Sequence, residues 1–252
     1  MKTISPLQQA RSTYQPKLPA ALAQHGAAAA VNQGDALEPE TDREKLKELF
    51  EKTYGSPTVQ LADEPAADAG AEAINVGVVL SGGQAPGGHN VIAGLFDGLK
   101  SLNDGNRLYG FLGGPSGMVD NDYVEITADF LAPYRNTGGF DIIGSGRTKL
   151  ESEEQFEKVK ATCQALDITA LVVVGGDDSN TNACVLAEYY ARTDAGINVI
   201  GCPKTIDGDL KNEYVEVSFG FDTATKVYAE LIGNIERDAN SAKKYWHFIK
   251  LM

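Results

Sequence analysis

Short apolar segments that alternate with helical patterns dominate the sequence from residue 74 onward. Segments rich in Val, Ile and Leu predict strands over 74–80, 107–112, 170–174, 198–202 and 245–251. Amphipathic patterns predict helices over 88–102, 152–166, 180–192 and 221–240. Strands that are apolar along their whole length are buried on both faces. The pattern therefore predicts an α/β fold of three layers, in which a mostly parallel sheet lies between helices.

The first 70 residues differ in composition from the rest of the chain. They are rich in Ala, Pro and acidic residues and include a run of four alanines. Thr41 and Glu44 match a capping box ahead of an apolar stripe that ends at Phe50, which predicts one helix. We therefore expect an N-terminal helical extension, 1–70, that packs on the core or acts as an interaction arm, followed by an α/β domain, 71–252.

Charge and composition exclude several classes of protein. The chain has 252 residues, 22 Lys and Arg against 35 Asp and Glu, and a net charge of −13, which argues against a nucleic-acid footprint or a basic membrane surface. No apolar run approaches the roughly 20 residues of a membrane span, and the N-terminus has no signal-peptide core. Three widely spaced cysteines are predicted to be buried and reduced. We expect a cytoplasmic protein.

Glycines cluster where the first predicted strand ends. The segment 81–88 reads Ser-Gly-Gly-Gln-Ala-Pro-Gly-Gly and precedes a predicted helix. Glycines at such a turn let backbone N–H groups approach an anion closely. The segment lacks the Gly-Lys-Ser/Thr of a Walker A loop and the spaced glycines of a dinucleotide-binding motif. Phosphate binding and a plain tight turn both remain open for it.

A second Gly-rich turn, 175–180, carries two adjacent carboxylates. It reads Gly-Gly-Asp-Asp-Ser-Asn and lies between a predicted strand and a predicted helix. Carboxylates at a phosphate site repel the ligand unless a cation intervenes, and Mg²⁺ binds one or two carboxylates together with phosphate oxygens. Asp177 or Asp178 is therefore a candidate Mg²⁺ ligand, with helix capping as the alternative role.

Two further polar clusters complete the set of candidate loops. The segment 203–210 reads Pro-Lys-Thr-Ile-Asp-Gly-Asp-Leu and combines a lysine with two carboxylates. A carboxylate base and a cationic phosphate clamp are what phosphoryl transfer to an alcohol requires. The segment 144–149, Gly-Ser-Gly-Arg-Thr-Lys, offers Arg147 for a bidentate contact with a phosphoryl group. An Asp-Gly turn and a surface arginine are the plainer alternatives.

Taken in this order, the three strand-end motifs resemble those of the phosphofructokinase family. The N-terminal segments 5–8 and 14–19 resemble the extended form of plants and some bacteria, which uses inorganic pyrophosphate. The resemblance implies a phosphofructokinase-like, Rossmann-like α/β fold. It also implies a magnesium-dependent enzyme that acts on pyrophosphate and fructose 6-phosphate in glycolysis, as a homo-oligomer of two or more subunits.

The resemblance also implies roles for individual residues. Asp207 is expected to be the base for the 1-hydroxyl of the sugar, supported by Asp209. Thr205 and Ile206 are expected to contact the sugar phosphate, and Asp177 to hold Mg²⁺.

At the donor side, the resemblance implies that Gly82 and Gly83 offer backbone N–H groups to pyrophosphate and that Arg147 steadies the transferred phosphoryl group.

Lys244 and Tyr245 match the place that contacts the sugar phosphate of a neighbouring subunit. Met252, the last residue of the sequence, matches the first position of the family's Met-Gly-Arg pattern, and the resemblance implies that it contacts substrate.

Two positions distinguish the phosphoryl donor within this family. ATP-dependent members have Gly where this chain has Asp178 and where it has Lys204. The resemblance implies that the carboxylate of Asp178 occupies the place of the ATP α-phosphate and repels that phosphate, and that Lys204 supplies positive charge for the leaving phosphate. These two residues favour pyrophosphate as the donor. The intact Gly-Gly-Asp-Asp and Thr-Ile-Asp-Gly-Asp patterns resemble those of a catalytic type of subunit.

Alternative interpretations stay open at the level of the sequence. They are an ATP-dependent phosphofructokinase, a non-catalytic assembly subunit, and a lipid or dinucleotide kinase that shares only the Gly-Gly-Asp motif. The chain ends inside the last predicted strand, so we expect it to be the N-terminal portion of a longer polypeptide that is truncated within its α/β domain.

Overall fold

The computed structural model describes residues 18–210, 215 and 218–251, together with residues 6 and 9. The extension contains helix α1 (Ala20–His25), a short 3₁₀ helix (Gly26–Ala28), strand β1 (Ala29–Ala36), helix α2 (Arg43–Leu49) and strand β2 (Pro57–Pro65). The α/β domain begins with β3 (Asn75–Leu80), α3 (Gly88–Leu102), β4 (Arg107–Phe111), α4 (Pro115–Asp120), β5 (Tyr123–Glu125) and α5 (Ala128–Leu131), which a 3₁₀ turn (Ala132–Tyr134) follows. It continues with α6 (Glu153–Ala165), β6 (Ile168–Gly175), α7 (Asp177–Arg192), β7 (Asn198–Thr205), β8 (Phe219–Gly220) and α8 (Phe221–Ala242).

The central sheet has six strands in the order β5-β4-β3-β6-β7-β8. Every neighbouring pair is parallel except β4 and β5, which are antiparallel. The chain runs from β3 outward to β5 on one side, then returns to β6 and builds the other side. The strand order therefore reverses between β3 and β6, and in open α/β sheets ligands bind at the carboxyl ends of strands at such a point.

Helices cover both faces of the sheet, which confirms the predicted three-layer fold. On one face Val78 and Leu80 of β3 are fully buried with Ile92 of α3. On the other face Val79 packs in a separate cluster with residues of α6 and α7, including the fully buried Val159. The alternation along β3 places successive side chains on opposite faces, and both faces are apolar because both are covered.

Several element boundaries differ from the sequence predictions. Strands β6 and β7 run on to Gly175 and Thr205, and α7 begins at Asp177 rather than at residue 180. The predicted strand 245–251 is wrong, since this segment is irregular and leaves the side chain of Trp246 91% exposed. Within the described part of the chain it pairs with no other strand, and an apolar pattern does not supply the backbone partners that a strand requires.

The extension is only partly the helical segment that was predicted. It contains two short helices, but its longest elements are β1 and β2, which form an antiparallel two-stranded sheet. The capping box is wrong: α2 is preceded by Asp42 in a left-handed conformation, and no side chain caps the helix. The extension contacts the α/β domain at Glu188 of α7, whose carboxylate accepts hydrogen bonds from the backbone N–H groups of Lys52 and Thr53 and from the Thr53 hydroxyl, at 2.9–3.1 Å.

The three cysteines differ in their exposure. Cys163 is buried as expected, but Cys202 is only half-buried and Cys184 is exposed. No helix of the described residues is long and apolar enough to cross a membrane. Most of the N-terminal motif segments 5–8 and 14–19, as well as Met252, lie outside the described residues.

Candidate functional site at the carboxyl edge of the sheet

The loops that follow β3 and β6 meet the segment 144–149 at the point where the strand order reverses. Ser81 forms an isolated parallel bridge with Gly146. The Ser179 hydroxyl, in the first turn of α7, donates a hydrogen bond to the Ser81 hydroxyl at 2.8 Å, and both side chains are buried. Three of the four predicted clusters are therefore joined directly by hydrogen bonds.

Gly175 allows this close approach at the end of β6. A Cβ atom there would lie 2.3 Å from the Cβ of Ser179 and 2.9 Å from the backbone oxygen of Ser81. Any side chain would push α7 away from the loop after β3. Glycine at this position is therefore required by the packing of two strand ends against one helix, in addition to any role in ligand binding.

The loop after β3 offers fewer free backbone donors than the sequence predicted. The N–H of Gly82 donates to the backbone oxygen of Gly146 at 2.8 Å, so it is engaged within the protein. In this geometry the Gly82 amide, which is expected to bind pyrophosphate, holds the two loops together. No such intramolecular bond is found for the N–H of Gly83 within the described part of the chain.

Arg147 lies directly above Gly83. A Cβ atom at Gly83 would be 2.9 Å from a guanidinium nitrogen of Arg147. The side chain of Arg147 is otherwise exposed, so its donors face the open space at the edge of the sheet. The structure thus brings an N–H group and a guanidinium to one place, as phosphate binding requires.

The two carboxylates of the second Gly-rich turn occupy the first turn of α7. Asp177 and Asp178 are exposed, and the residue at the N-cap position is Gly176, with no side-chain cap. Helix capping was the alternative role for these aspartates, and neither performs it. The side-chain amide of Asn180 donates to the backbone oxygens of Gly175 and Gly176 at 2.7 and 2.9 Å, and the carboxylate of Asp178 lies 3.4 Å from the ammonium group of Lys149.

The chemistry of the aspartates fits a magnesium ion that is shared with phosphate. Among the residues that the structure describes, no group of three or more His, Cys, Asp and Glu side chains could hold a metal ion by itself. An ion at Asp177 would therefore need most of its ligands from elsewhere. Mg²⁺ commonly takes one or two carboxylates from the protein and completes its shell with phosphate oxygens and water.

Lys204 lies at the end of β7 and is half-buried. Its ammonium group is 5.8 Å from the centre of the Phe140 ring. Burial, and secondarily the positive charge of Arg147, lower the pKa of Lys204, while Asp207 opposes this shift. An anion bound near Lys204 would favour its charged form and so oppose this lowering of its pKa.

Thr205 organises the turn that carries the two carboxylates of the last motif. Its buried hydroxyl donates to the Asp209 carboxylate at 2.5 Å and accepts from the backbone N–H of Asp207 at 3.1 Å. The hydrogen bond from Thr205 is the main cause of a lowered pKa at Asp209. Gly208 completes the turn with a φ of +77°, and Asp207 remains exposed to the site.

Not all of the predicted site residues come together. Ile206 is half-buried within the same turn as Asp207. Lys244 and Tyr245 contact each other, at 5.2 Å from ammonium to ring, but they follow the far end of α8. A helix of 22 residues is about 33 Å long, so these two side chains are remote from the loops described above.

Sequence reasoning missed several residues that build the site. Lys149 lies 3.4 Å from Asp178, and the segment Ser-Asn-Thr-Asn, 179–182, supplies three side chains that each hold a different loop. The sequence signal that could have identified residues 179–182 was their position just after the paired aspartates. His89 is buried, bonds the Thr137 hydroxyl and accepts from the backbone N–H groups of Asp141 and Ile142.

Comparisons with known proteins agree with the strand-end motifs. A family model described as Phosphofructokinase matches residues 75–252. The pyrophosphate–fructose 6-phosphate 1-phosphotransferase of Porphyromonas gingivalis is 61% identical, over 98% of this chain and 44% of that protein. The protein of the same name from Treponema pallidum is 56% identical, over 99% and 45%. This chain therefore spans less than half the length of these curated relatives.

A solved structure supports the fold at a lower level of identity. The phosphofructokinase of Saccharomyces cerevisiae matches with a TM-score of 0.53 and 21% sequence identity. The match covers 69% of this chain and 22% of the yeast chain, and it concerns the fold alone.

Proposed function

This chain belongs to the phosphofructokinase family, and from that premise we propose that it forms part of an enzyme that transfers a phosphoryl group from pyrophosphate to fructose 6-phosphate. The products are fructose 1,6-bisphosphate and phosphate, and the reaction is reversible. Relatives that cover nearly all of this chain carry the name of that activity. The observation that carries the proposal is geometric: Arg147 lies beside Gly83, and Lys204, Asp207 and Asp178 follow neighbouring parallel strands at the same edge of the sheet.

Asp207 acts as the base in the proposed mechanism. Its carboxylate takes the proton from the 1-hydroxyl of the sugar while that oxygen forms a bond to phosphorus and the bond to the leaving phosphate breaks. Asp209 supports it through Thr205, which bonds both the Asp209 carboxylate and the Asp207 backbone. The exposed position of Asp207 beside a buried threonine suits a base that must meet substrate while its backbone stays in place.

The cations stabilise charge on the donor. Arg147 contacts the transferred phosphoryl group, the N–H of Gly83 binds a pyrophosphate oxygen, and Lys204 stabilises the leaving phosphate. Mg²⁺, held by Asp177 and phosphate oxygens, would neutralise part of the negative charge of pyrophosphate. Thr205 and Ile206 lie on the side of the site that faces the sugar phosphate. The main role of Thr205 is to hold the turn.

Asp178 selects the donor. Its exposed carboxylate on the first turn of α7 repels a third phosphate, so the site favours pyrophosphate over ATP. We further propose that the enzyme is a cytoplasmic homo-oligomer in which Lys244 and Tyr245 reach the sugar phosphate of a neighbouring subunit, and that Met252 contacts substrate.

An assay of the full-length protein with each donor tests the proposal. Fructose 1,6-bisphosphate should form with pyrophosphate and Mg²⁺ and much more slowly with ATP. A preference for ATP would contradict the proposed roles of Asp178 and Lys204. Asp207→Asn should lower kcat by a factor of about 10⁴ without changing the fold, as circular dichroism can verify. Full turnover by that variant would point instead to another base. A wild-type protein that shows no turnover with either donor would point to a non-catalytic subunit.

A further inference from the structure

Asn182 clamps the end of the loop that carries Arg147 and Lys149. It lies in the second turn of α7, and its side-chain nitrogen donates to the backbone oxygen of Leu150 at 2.6 Å. Its side-chain oxygen accepts from the backbone N–H of the same Leu150 at 3.0 Å. A single amide thus satisfies both backbone groups of one residue, which fixes that residue in position and in orientation relative to α7.

The clamp is one of two attachments of the same loop. Leu150 is also buried by its side chain, which packs among residues of α6 and α7. Four residues earlier, the backbone oxygen of Gly146 accepts the hydrogen bond from Gly82. Only Arg147, Thr148 and Lys149 lie between these two attachments, and all three are exposed. The loop therefore presents two cations from a short span that is held at both ends.

The position of Lys149 gives this arrangement a chemical consequence. Its ammonium group lies 3.4 Å from the carboxylate of Asp178, and both side chains are largely exposed. An exposed ion pair contributes little by itself, because it orders two side chains in water. A backbone that is already fixed lowers that cost. The pairing of Lys149 with Asp178 thus depends on the clamp at Leu150.

We propose that Asn182 is a positioning residue for the phosphoryl donor, which it serves by holding Lys149 beside Asp178. Lys149 offsets the charge of Asp178, and because an ammonium has three donors, it also binds an oxygen of pyrophosphate. This inference rests on the proposed function. It explains how a carboxylate that repels ATP can stand at a site for a smaller polyanion.

Kinetics of the full-length protein test the role of Asn182. Asn182→Leu keeps the size of the side chain but removes both hydrogen bonds, and it should raise the KM for pyrophosphate about tenfold. The KM for fructose 6-phosphate should stay within about twofold of the wild-type value. Asn182→Asp keeps the acceptor but sets a carboxylate oxygen against the Leu150 carbonyl oxygen, so it should also raise the KM for pyrophosphate. Thr181→Ala, an exposed neighbour on the same helix, serves as the control and should leave both constants unchanged.

The role of Lys149 is tested through its coupling to Asp178. Lys149→Met should raise the KM for pyrophosphate about tenfold, and Lys149→Arg should restore most of the affinity. In the Asn182→Leu background, Lys149→Met should have a much weaker effect, because the ammonium is no longer held in place.

Several results would overturn the inference. These are an unchanged KM for pyrophosphate in a folded Asn182→Leu or Asn182→Asp protein, an equal rise in both KM values, or full additivity of the Asn182 and Lys149 substitutions. A wild-type protein that uses ATP alone would contradict the proposed donor instead. The same variants would then test the clamp through the KM for ATP, where an unchanged value would again count against it.

Discussion

The Thr205 hydroxyl donates a hydrogen bond to the Asp209 carboxylate at 2.5 Å and in turn accepts one from the backbone N–H of Asp207. One buried hydroxyl therefore connects the Asp209 carboxylate to the backbone of Asp207 in the turn after β7. Its donor is used by Asp209, so the direction of both hydrogen bonds is determined. The turn presents Asp207 outward while Thr205 stays in the core, where it is 7% exposed.

Replacing Thr205 with valine should lower kcat by roughly 100-fold in the full-length enzyme, because the backbone of the proposed base loses its support. Thr205→Ser keeps the hydroxyl and should retain most of the activity. Steady-state rates with pyrophosphate and fructose 6-phosphate provide the measurement. Equal rates for the valine and serine variants would show that the hydroxyl does not position the base.

The same pair of variants carries a prediction about stability and pH. Since the hydrogen bond lowers the pKa of Asp209 in the folded protein, its stabilising effect is present above the ordinary pKa of an aspartate, about 3.9, and is lost as the pH falls through the lowered value. Thr205→Val should therefore have a lower Tm than Thr205→Ser at pH 7. The difference should shrink under strongly acidic conditions.

Lys204 should show opposite effects on activity and on stability. Burial disfavours its charged form and lowers its pKa, so the folded state is penalised below that pKa and the penalty disappears above about pH 10.4, where the unfolded side chain is also neutral. Lys204→Met should thus raise the Tm at pH 7, and this gain should disappear as the pH rises above about 10.4.

Activity of the same variant should fall by about 100-fold with pyrophosphate, because the leaving phosphate loses its cation. Lys204→Arg keeps the charge at all accessible pH values. Its rate should therefore persist at alkaline pH where the wild-type rate declines. Identical alkaline limbs for the lysine and arginine enzymes would show that Lys204 does not titrate in the reaction.

The sequence motifs predicted the fold and where three of the four candidate loops lie, because those three each follow a parallel strand. Parallel strands place their carboxyl ends at one edge, so motifs distant in the sequence were expected to meet there. What could not be predicted was the direction of individual backbone groups. Gly82 illustrates this: its N–H points to Gly146. A glycine-rich turn indicates a close approach of two atoms, but it does not specify which atoms approach each other.

Long-range side-chain contacts were missed for a related reason. Asn182 and Lys149 are separated by 33 positions. Nothing in their local patterns indicates that Asn182 binds the backbone of Leu150, the residue next to Lys149. The sheet of the extension was also missed, since β1 contains Gly34 and the acidic Asp35 in place of a regular apolar alternation. The predicted strand 245–251 was wrong because an apolar pattern predicts burial only where a partner is present.

Removing the charge of Asp178 separates two explanations of donor choice. Asp178→Asn keeps the volume of the side chain, whereas Asp178→Gly removes both volume and charge. If repulsion of the ATP α-phosphate dominates, both variants should raise kcat/KM for ATP by roughly tenfold or more. A gain in the glycine variant alone would indicate that volume excludes ATP. No gain in either variant would show that Asp178 does not select the donor.

Glu188 should control how firmly the extension is attached to the α/β domain. Its buried carboxylate accepts four hydrogen-bond contacts from Lys52 and Thr53, and an amide at this position would place an N–H₂ group against other donors. Glu188→Gln should therefore weaken the attachment by about 2 kcal/mol.

Limited proteolysis of the full-length protein measures this attachment. Cleavage within residues 37–56 depends on the population of the detached form, and it should be roughly 30-fold faster in Glu188→Gln when detachment equilibrates rapidly. Glu51→Gln, an exposed acid in the same turn, is the matched control and should be cleaved at the wild-type rate. Equal cleavage of all three proteins would mean that the extension is held by its apolar contacts with α3, such as that between Ala27 and Gly98, rather than by Glu188.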